Sequence, residues 1–185
     1  AGGTPLRLLV YDHSHGAEMI ALAARFGRGL PADVLPLSVA ALAGFGHAEM
    51  LAALALGFAA VDMLVAPKSD HETPAREQLL AAAMGGNGRL RLLDVTDPDA
   101  LADALYGAAT MAPQSDPVLP LGNRRQVARL AAKALMPGAT QPVPLPEGAP
   151  YGAVLVDTGA CTLCLSCASL CPSGALGDNP DKPQL

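Results

Sequence analysis

Short apolar runs alternate with longer Ala/Leu-rich stretches along the first part of the chain, and four such pairs stand in a row before residue 110. Residues 6–11, 34–39, 61–66 and 90–95 have strand length and strand composition. Residues 16–26, 47–56, the stretch opening at Thr73 and the stretch 97–108 have helical length and helix-forming composition. Asp12 or Ser14 can cap the first helix, Glu18 suits its positive end, and Gly27 and Gly29 stop it. Thr73-Pro74 reads as an N-cap followed by Pro at the first helical position, and Asp97-Pro98 opens the fourth helix in the same way. The run 61–66 is apolar on both faces apart from Asp62, which predicts an inner strand of a covered parallel sheet, with Asp62 itself read as facing an edge.

Four βα units joined by short Gly-bearing turns predict a small doubly wound parallel-sheet α/β domain, of flavodoxin-like type, over residues 1–110. A strand order such as 2-1-3-4 fits the pattern, although the pattern alone does not set the order. Eight of the 17 prolines then fall between residues 112 and 150, so 111–150 reads as a Pro-rich linker with polyproline character. Inside it one helix is predicted over 123–135. Arg125, Arg129 and Lys133 form a basic stripe with Arg124 beside it, opposite Val127, Leu130, Ala131, Ala134 and Leu135. The stripe reads either as the solvated face of a helix packed on the α/β domain or as a docking surface for an acidic redox partner.

Composition narrows the class. With 12 Lys+Arg against 17 Asp+Glu among 185 residues, the net charge of -5 argues against nucleic acid or any other polyanion as a partner. Aromatics are 3% of the chain with no Trp, so the core must be built from Ala, Leu and Val. The longest apolar run, 50–61, is too short for a bilayer, which takes about 20 residues. No cationic segment followed by an apolar run opens the chain, and a cytoplasmic location is expected. The start at Ala1 rather than Met and the ending at Pro183-Gln184-Leu185 read as the limits of a piece cut from something longer.

All four cysteines lie within Cys161-Thr-Leu-Cys164-Leu-Ser-Cys167-Ala-Ser-Leu-Cys171-Pro172, a C-x2-C-x2-C-x3-C-P run. Disulfide stapling of the fold is excluded, because the first 160 residues contain no cysteine. Zinc sites usually come as two separated C-x2-C pairs, and a redox C-x-x-C belongs after the first strand of its fold; neither matches. The spacing is that of bacterial ferredoxins, in which thiolates hold a 4Fe-4S cluster and loop N–H groups face its sulfides. Residues 153–157 read as a strand entering the loop, Gly174 as the turn leaving it, and 177–183 as a turn between two halves. Residues 151–185 thus resemble the first half of the bacterial dicluster (2[4Fe-4S]) ferredoxin fold. The resemblance implies Cys161, Cys164, Cys167 and Cys171 as iron ligands and single-electron transfer as the function. In such proteins the fourth Cys of one run ligates the other cluster. Since these residues hold no second run, the expectation is two clusters in a longer protein and an incomplete or empty site in this fragment.

The α/β part has neither a Gly-x-Gly-x-x-Gly after the first strand nor a P-loop motif, and Gly44-Phe-Gly46 reads as a turn. His13, His15, His47 and His71 all fall beyond the C-terminal ends of strands one to three, with Asp12, Asp70 and Glu72 among them, at the edge where open α/β sheets bind ligands. They read either as a ligand or metal pocket or, more plainly, as caps and loop residues. Residues 49–67, an Ala-rich helix, Gly57 and an apolar strand, resemble the iron-sulfur delta subunit that links some hydrogenases to heterodisulfide reductase. The cysteines which that family carries after its first and third strands are replaced here by Asp12-His13-Ser14-His15 and Pro67-Lys68-Ser69-Asp70, so only the scaffold is implied. The expected protein is an electron carrier or oxidoreductase subunit rather than an enzyme in itself, with an α/β docking domain serving a larger oxidoreductase. The alternative is an α/β domain that binds ligand or catalyses through its histidine-rich edge, with the cluster as relay.

Overall fold

The computed structural model describes residues 5–109, 111–114, 116–152, 154–172, 174, 176–178 and 181, and divides into two compact units, Ala1–Ala149 and Pro150–Leu185. In the first unit the predicted alternation forms β1 (Arg7–Asp12), α1 (His15–Phe26), β2 (Val34–Val39), α2 (His47–Ala55), β3 (Ala60–Leu64), α3 (Glu72–Ala81), β4 (Leu90–Leu93) and α4 (Pro98–Tyr106), followed by α5 (Arg124–Leu135). The four strands make one parallel sheet in the order β2-β1-β3-β4. This is the doubly wound α/β architecture.

Alternation along the strands divides the core in two. Leu8, Val10, Val61, Met63 and Leu90 pack on one face with Met50, Leu51 and Leu54 of α2, Ala81 of α3, and Ala131 and Leu135 of α5. Leu9, Leu64 and Leu93 pack on the other with Met19 of α1 and Leu101 and Leu105 of α4. Burying a Leu of this kind contributes roughly 1.5–3 kcal/mol as an upper estimate, so these aliphatic layers replace the missing aromatics. β2 lies at the edge with Leu35 and Leu37 exposed, a place where Pro36 breaks no ladder in the sheet interior.

Helix α5, from the Pro-rich segment, packs on α2 and belongs to the first unit. Asn123 and Gln126 form its capping box, each side chain accepting from the other's backbone N–H (3.0 and 2.8 Å). Its buried stripe is Ala128, Ala131, Ala132 and Leu135, rotated from the expected one, so that Leu130 is exposed. Arg124 reaches back to Glu49 at 2.8 Å, leaving Arg125, Arg129 and Lys133 on the exposed face.

Asp62 is a correction. It does not face a sheet edge but sits in central β3, fully buried, opposite Arg91 in β4. The guanidinium forks onto it (Nε–Oδ1 2.6 Å, Nη2–Oδ2 2.8 Å). A carboxylate with no water must be paired, and an apolar strand tolerates one only opposite a cation.

Glu77 of α3 is held similarly. Burial would raise its pKa, but the His47 N–H (2.9 Å), the His47 ring and Arg124 outweigh burial and hold the carboxyl below its ordinary value of 4.5. A depressed folded-state pKa stabilises the fold above the unfolded value, and the contribution disappears as pH falls through the folded one. Glu77→Gln is therefore expected to cost about 1 kcal/mol at neutral pH, with the difference from the parent vanishing at pH values well below 4.5. Urea midpoints across that pH range are the check; a difference independent of pH would assign the loss to packing instead. Glu77 also explains Gly46: a Cβ there would lie 2.5 Å from both the Glu77 carboxylate and the Arg124 guanidinium.

Candidate iron-sulfur site

In the second unit the only regular element among the described residues is a short helix, α6 (Ser166–Ser169). Residues 154–157 are not in a strand, contrary to the expectation, because no ladder partner for them stands among the described residues; residue 153 lies outside those. Asp157 instead organises the entry to the cysteine loop. Its carboxylate accepts from Gly159 N–H (2.9 Å) and Ala160 N–H (3.3 Å), and its carbonyl accepts from Cys161 N–H (2.9 Å).

Between the cysteines the backbone turns in an unusual way. Leu163 (φ 54°) and Leu165 (φ 58°) are the only non-glycine residues with positive φ among the described residues, and they flank Cys164. A left-handed leucine costs roughly 1–2 kcal/mol, so something must require it. Leu165 in the left-handed region followed by helical Ser166 is the left-right alternation that backbone anion-binding turns use. The Leu165 carbonyl then accepts from Ala168 and Ser169 N–H (3.1 and 3.0 Å), starting the turn that carries Cys167. Beyond it Cys171 N–H donates to Ala168 O (3.3 Å), and Gly174, at φ 63°, turns the chain and donates to Cys171 O (3.2 Å).

The four cysteines are not in disulfides; Cys164 and Cys167 are exposed and Cys161 and Cys171 half-buried. The Ser166 hydroxyl and N–H, with Thr162, hold the Cys164 thiol below its ordinary pKa. Among the described residues no three His, Cys, Asp or Glu side chains converge as a closed metal cage. Four thiols on one loop with no competing disulfide are the donor set of a thiolate-held iron-sulfur cluster, which fits here provided the loop closes on it. Coupling between metal capture and final folding is the usual behaviour of such loops.

The histidines do not form a cluster. His13 Nδ1 lies 2.7 Å from Ser38 Oγ, His15 Nε2 3.4 Å from the Val95 carbonyl, and His71 Nε2 2.8 Å from the Ala66 carbonyl. His47, at the start of α2, is buried against Glu77. A cleft of about 510 Å³ does open at the carboxyl edge, lined by Asp12, His13, Ser14, residues 40–43, Ser69 and Asp70, but only His13 of the four reaches it. Its two acids are helix caps. Asp12 accepts from Ser14 and Gly16 N–H (3.1 and 2.9 Å), and Asp70 from Glu72 and Thr73 N–H (2.9 and 3.1 Å). Asp70 thus starts α3 earlier than the Thr73-Pro74 cap predicted, whereas Asp97 caps α4 as expected, accepting from Asp99 N–H at 3.0 Å. Sequence reasoning missed the left-handed leucines, for which residue identity holds no signal, and the Asp62–Arg91 pair, whose signal was one acid and one base in neighbouring apolar strands.

Residues 154–177, which contain all four cysteines, match the family of 4Fe-4S binding domains. The chain carries an iron-sulfur module of ferredoxin type, consistent with an electron-transfer role. No curated protein and no solved structure matches the chain. Among the described residues no helix is long and apolar enough to cross a membrane.

Proposed function

We propose that this protein is a cytoplasmic electron carrier in which Cys161, Cys164, Cys167 and Cys171 ligate 4Fe-4S clusters, and that the α/β unit docks the module to a larger oxidoreductase. The carrying observation is the C-x2-C-x2-C-x3-C-P run on a loop with left-handed leucines on both sides of Cys164. A bound cluster supplies a one-electron couple. Cys161, Cys164, Cys167 and Cys171 would hold it through sulfur, on a loop fixed by Asp157 and Leu165. The motif logic also favours a dicluster arrangement, in which Cys171 belongs to a different cluster from the other three and the remaining ligands come from outside these 185 residues. A reducing compartment keeps such thiols available to iron.

Iron and acid-labile sulfide measured on protein reconstituted anaerobically with excess small thiol, which takes the coordination position that these 185 residues leave open, with an EPR spectrum before and after dithionite, test the reading. About four irons and four sulfides per chain and a signal that appears on reduction are expected. Zinc in place of iron, or no metal, would overturn it; iron that dithionite fails to reduce would leave a structural clamp rather than a carrier.

A further inference from the structure

At the opposite, N-terminal edge of the sheet, three arginines surround a cleft of about 160 Å³ whose lining is otherwise Ala60, Gly88, Ala108, Ala109 and Met111. Two of them follow one pattern. Arg7 places its Nε/Nη2 edge on Asp33 (2.7 and 3.1 Å) and Nη1 on the Leu105 carbonyl (2.9 Å). Arg91 places the same edge on Asp62 and Nη1 on the Ala104 carbonyl (3.3 Å). Arg89 repeats only half of this. Its Nη1 donates to the carbonyls of Ala59 (2.8 Å) and Ala112 (2.6 Å), which orients the guanidinium, while Nε and Nη2 have no partner among the described residues.

The Nε/Nη2 edge is the fork that takes two oxygens of one anion side by side. Its two neighbours hold carboxylates there, so the cleft has three guanidinium charges against two carboxylates. The volume is that of about five waters, room for a small oxyanion and its contacts but not for a nucleotide. Nothing in the lining opposes an anion: the remaining side chains are small or apolar, and at Gly88 even an added Cβ would meet open space.

We propose that the Nε/Nη2 edge of Arg89, beside the ion-paired Arg7 and Arg91, binds a small oxyanion that presents two oxygens, a phosphate or a carboxylate group. The site belongs to the α/β unit, at the sheet edge opposite to its histidine edge. It does not depend on the iron-sulfur reading, since the test is made on the α/β unit's own resonances.

The experiment is a titration of the full chain with inorganic phosphate, acetate or chloride at matched ionic strength, following the arginine Nε–Hε resonances by NMR. A saturable shift confined to Arg89, Gly88 and their neighbours is expected with phosphate or acetate and not with chloride, and the stronger of the two identifies the source. Arg89→Lys, which keeps the charge and loses the fork, is expected to weaken binding about tenfold or more, and Arg89→Gln to abolish it, while Arg125→Gln on α5 leaves it unchanged. Should Arg89→Gln fail to fold, the parent and Arg89→Lys decide. No saturable shift, an equal response to chloride, or Arg89→Lys binding like the parent would overturn the proposal.

Discussion

Replacing Asp62 with Ala is expected to remove about 3 kcal/mol or more from the stability of the α/β unit, a large share of the roughly 5–15 kcal/mol that holds an ordinary domain together. The reason lies in what remains afterwards. Asp62 is fully buried, and Arg91 spends Nε and Nη2 on it; without the carboxylate the guanidinium keeps only the Ala104 carbonyl. Removing one partner of such a pair costs more than removing both. The double variant Asp62→Leu with Arg91→Met is accordingly expected to lie within about 1 kcal/mol of the parent, having traded the pair for apolar packing against Leu64 and Leu105. Urea unfolding followed by circular dichroism reads both. A single variant within about 0.5 kcal/mol of the parent would show that solvent reaches Arg91, which is partly exposed, well enough to compensate.

The same residue shows which parts of this fold were legible in the sequence. Element type was readable wherever burial acts on a whole segment: 61–66 had to be a strand covered on both faces, and β3 is one. The edge place of β2 suits its Pro36, but strand order was not read from the pattern. What could not be read is the partner of a single polar group, because pairing depends on register and register follows from the three-dimensional sheet. Asp62 meets Arg91 only because β3 and β4 align with Asp62 opposite Arg91. The histidines failed for the converse reason. Placing four of them beyond strand ends in the same region of the fold is a statement about topology, and each then found its nearest carbonyl, hydroxyl or carboxylate instead of a common point. The start of α3 turned on local competition, as Asp70 reaches the first free amides before Thr73 can.

The cysteine loop was legible in its chemistry and opaque in its backbone, and that difference shapes the second large effect. On protein reconstituted with iron, sulfide and excess small thiol to occupy an open coordination position, Cys161→Ala, Cys164→Ala and Cys167→Ala are each expected to lower iron from about four per chain to below about one. Cys171→Ala is expected to keep most of it. The asymmetry follows from the dicluster reading, in which the three closely spaced thiols surround one cluster and the fourth, past α6 and before Pro172, serves another. Backbone geometry agrees with this division: both left-handed leucines lie between Cys161 and Cys167, whereas Cys171 follows ordinary helical turns. The circular dichroism of the α/β unit serves as the internal control, since none of the four substitutions touches its core. Equal loss in all four variants would mean that the four thiols close on a single cluster, overturning the two-cluster arrangement while keeping the iron-sulfur assignment. Full iron retained in Cys164→Ala would remove the loop itself from the site.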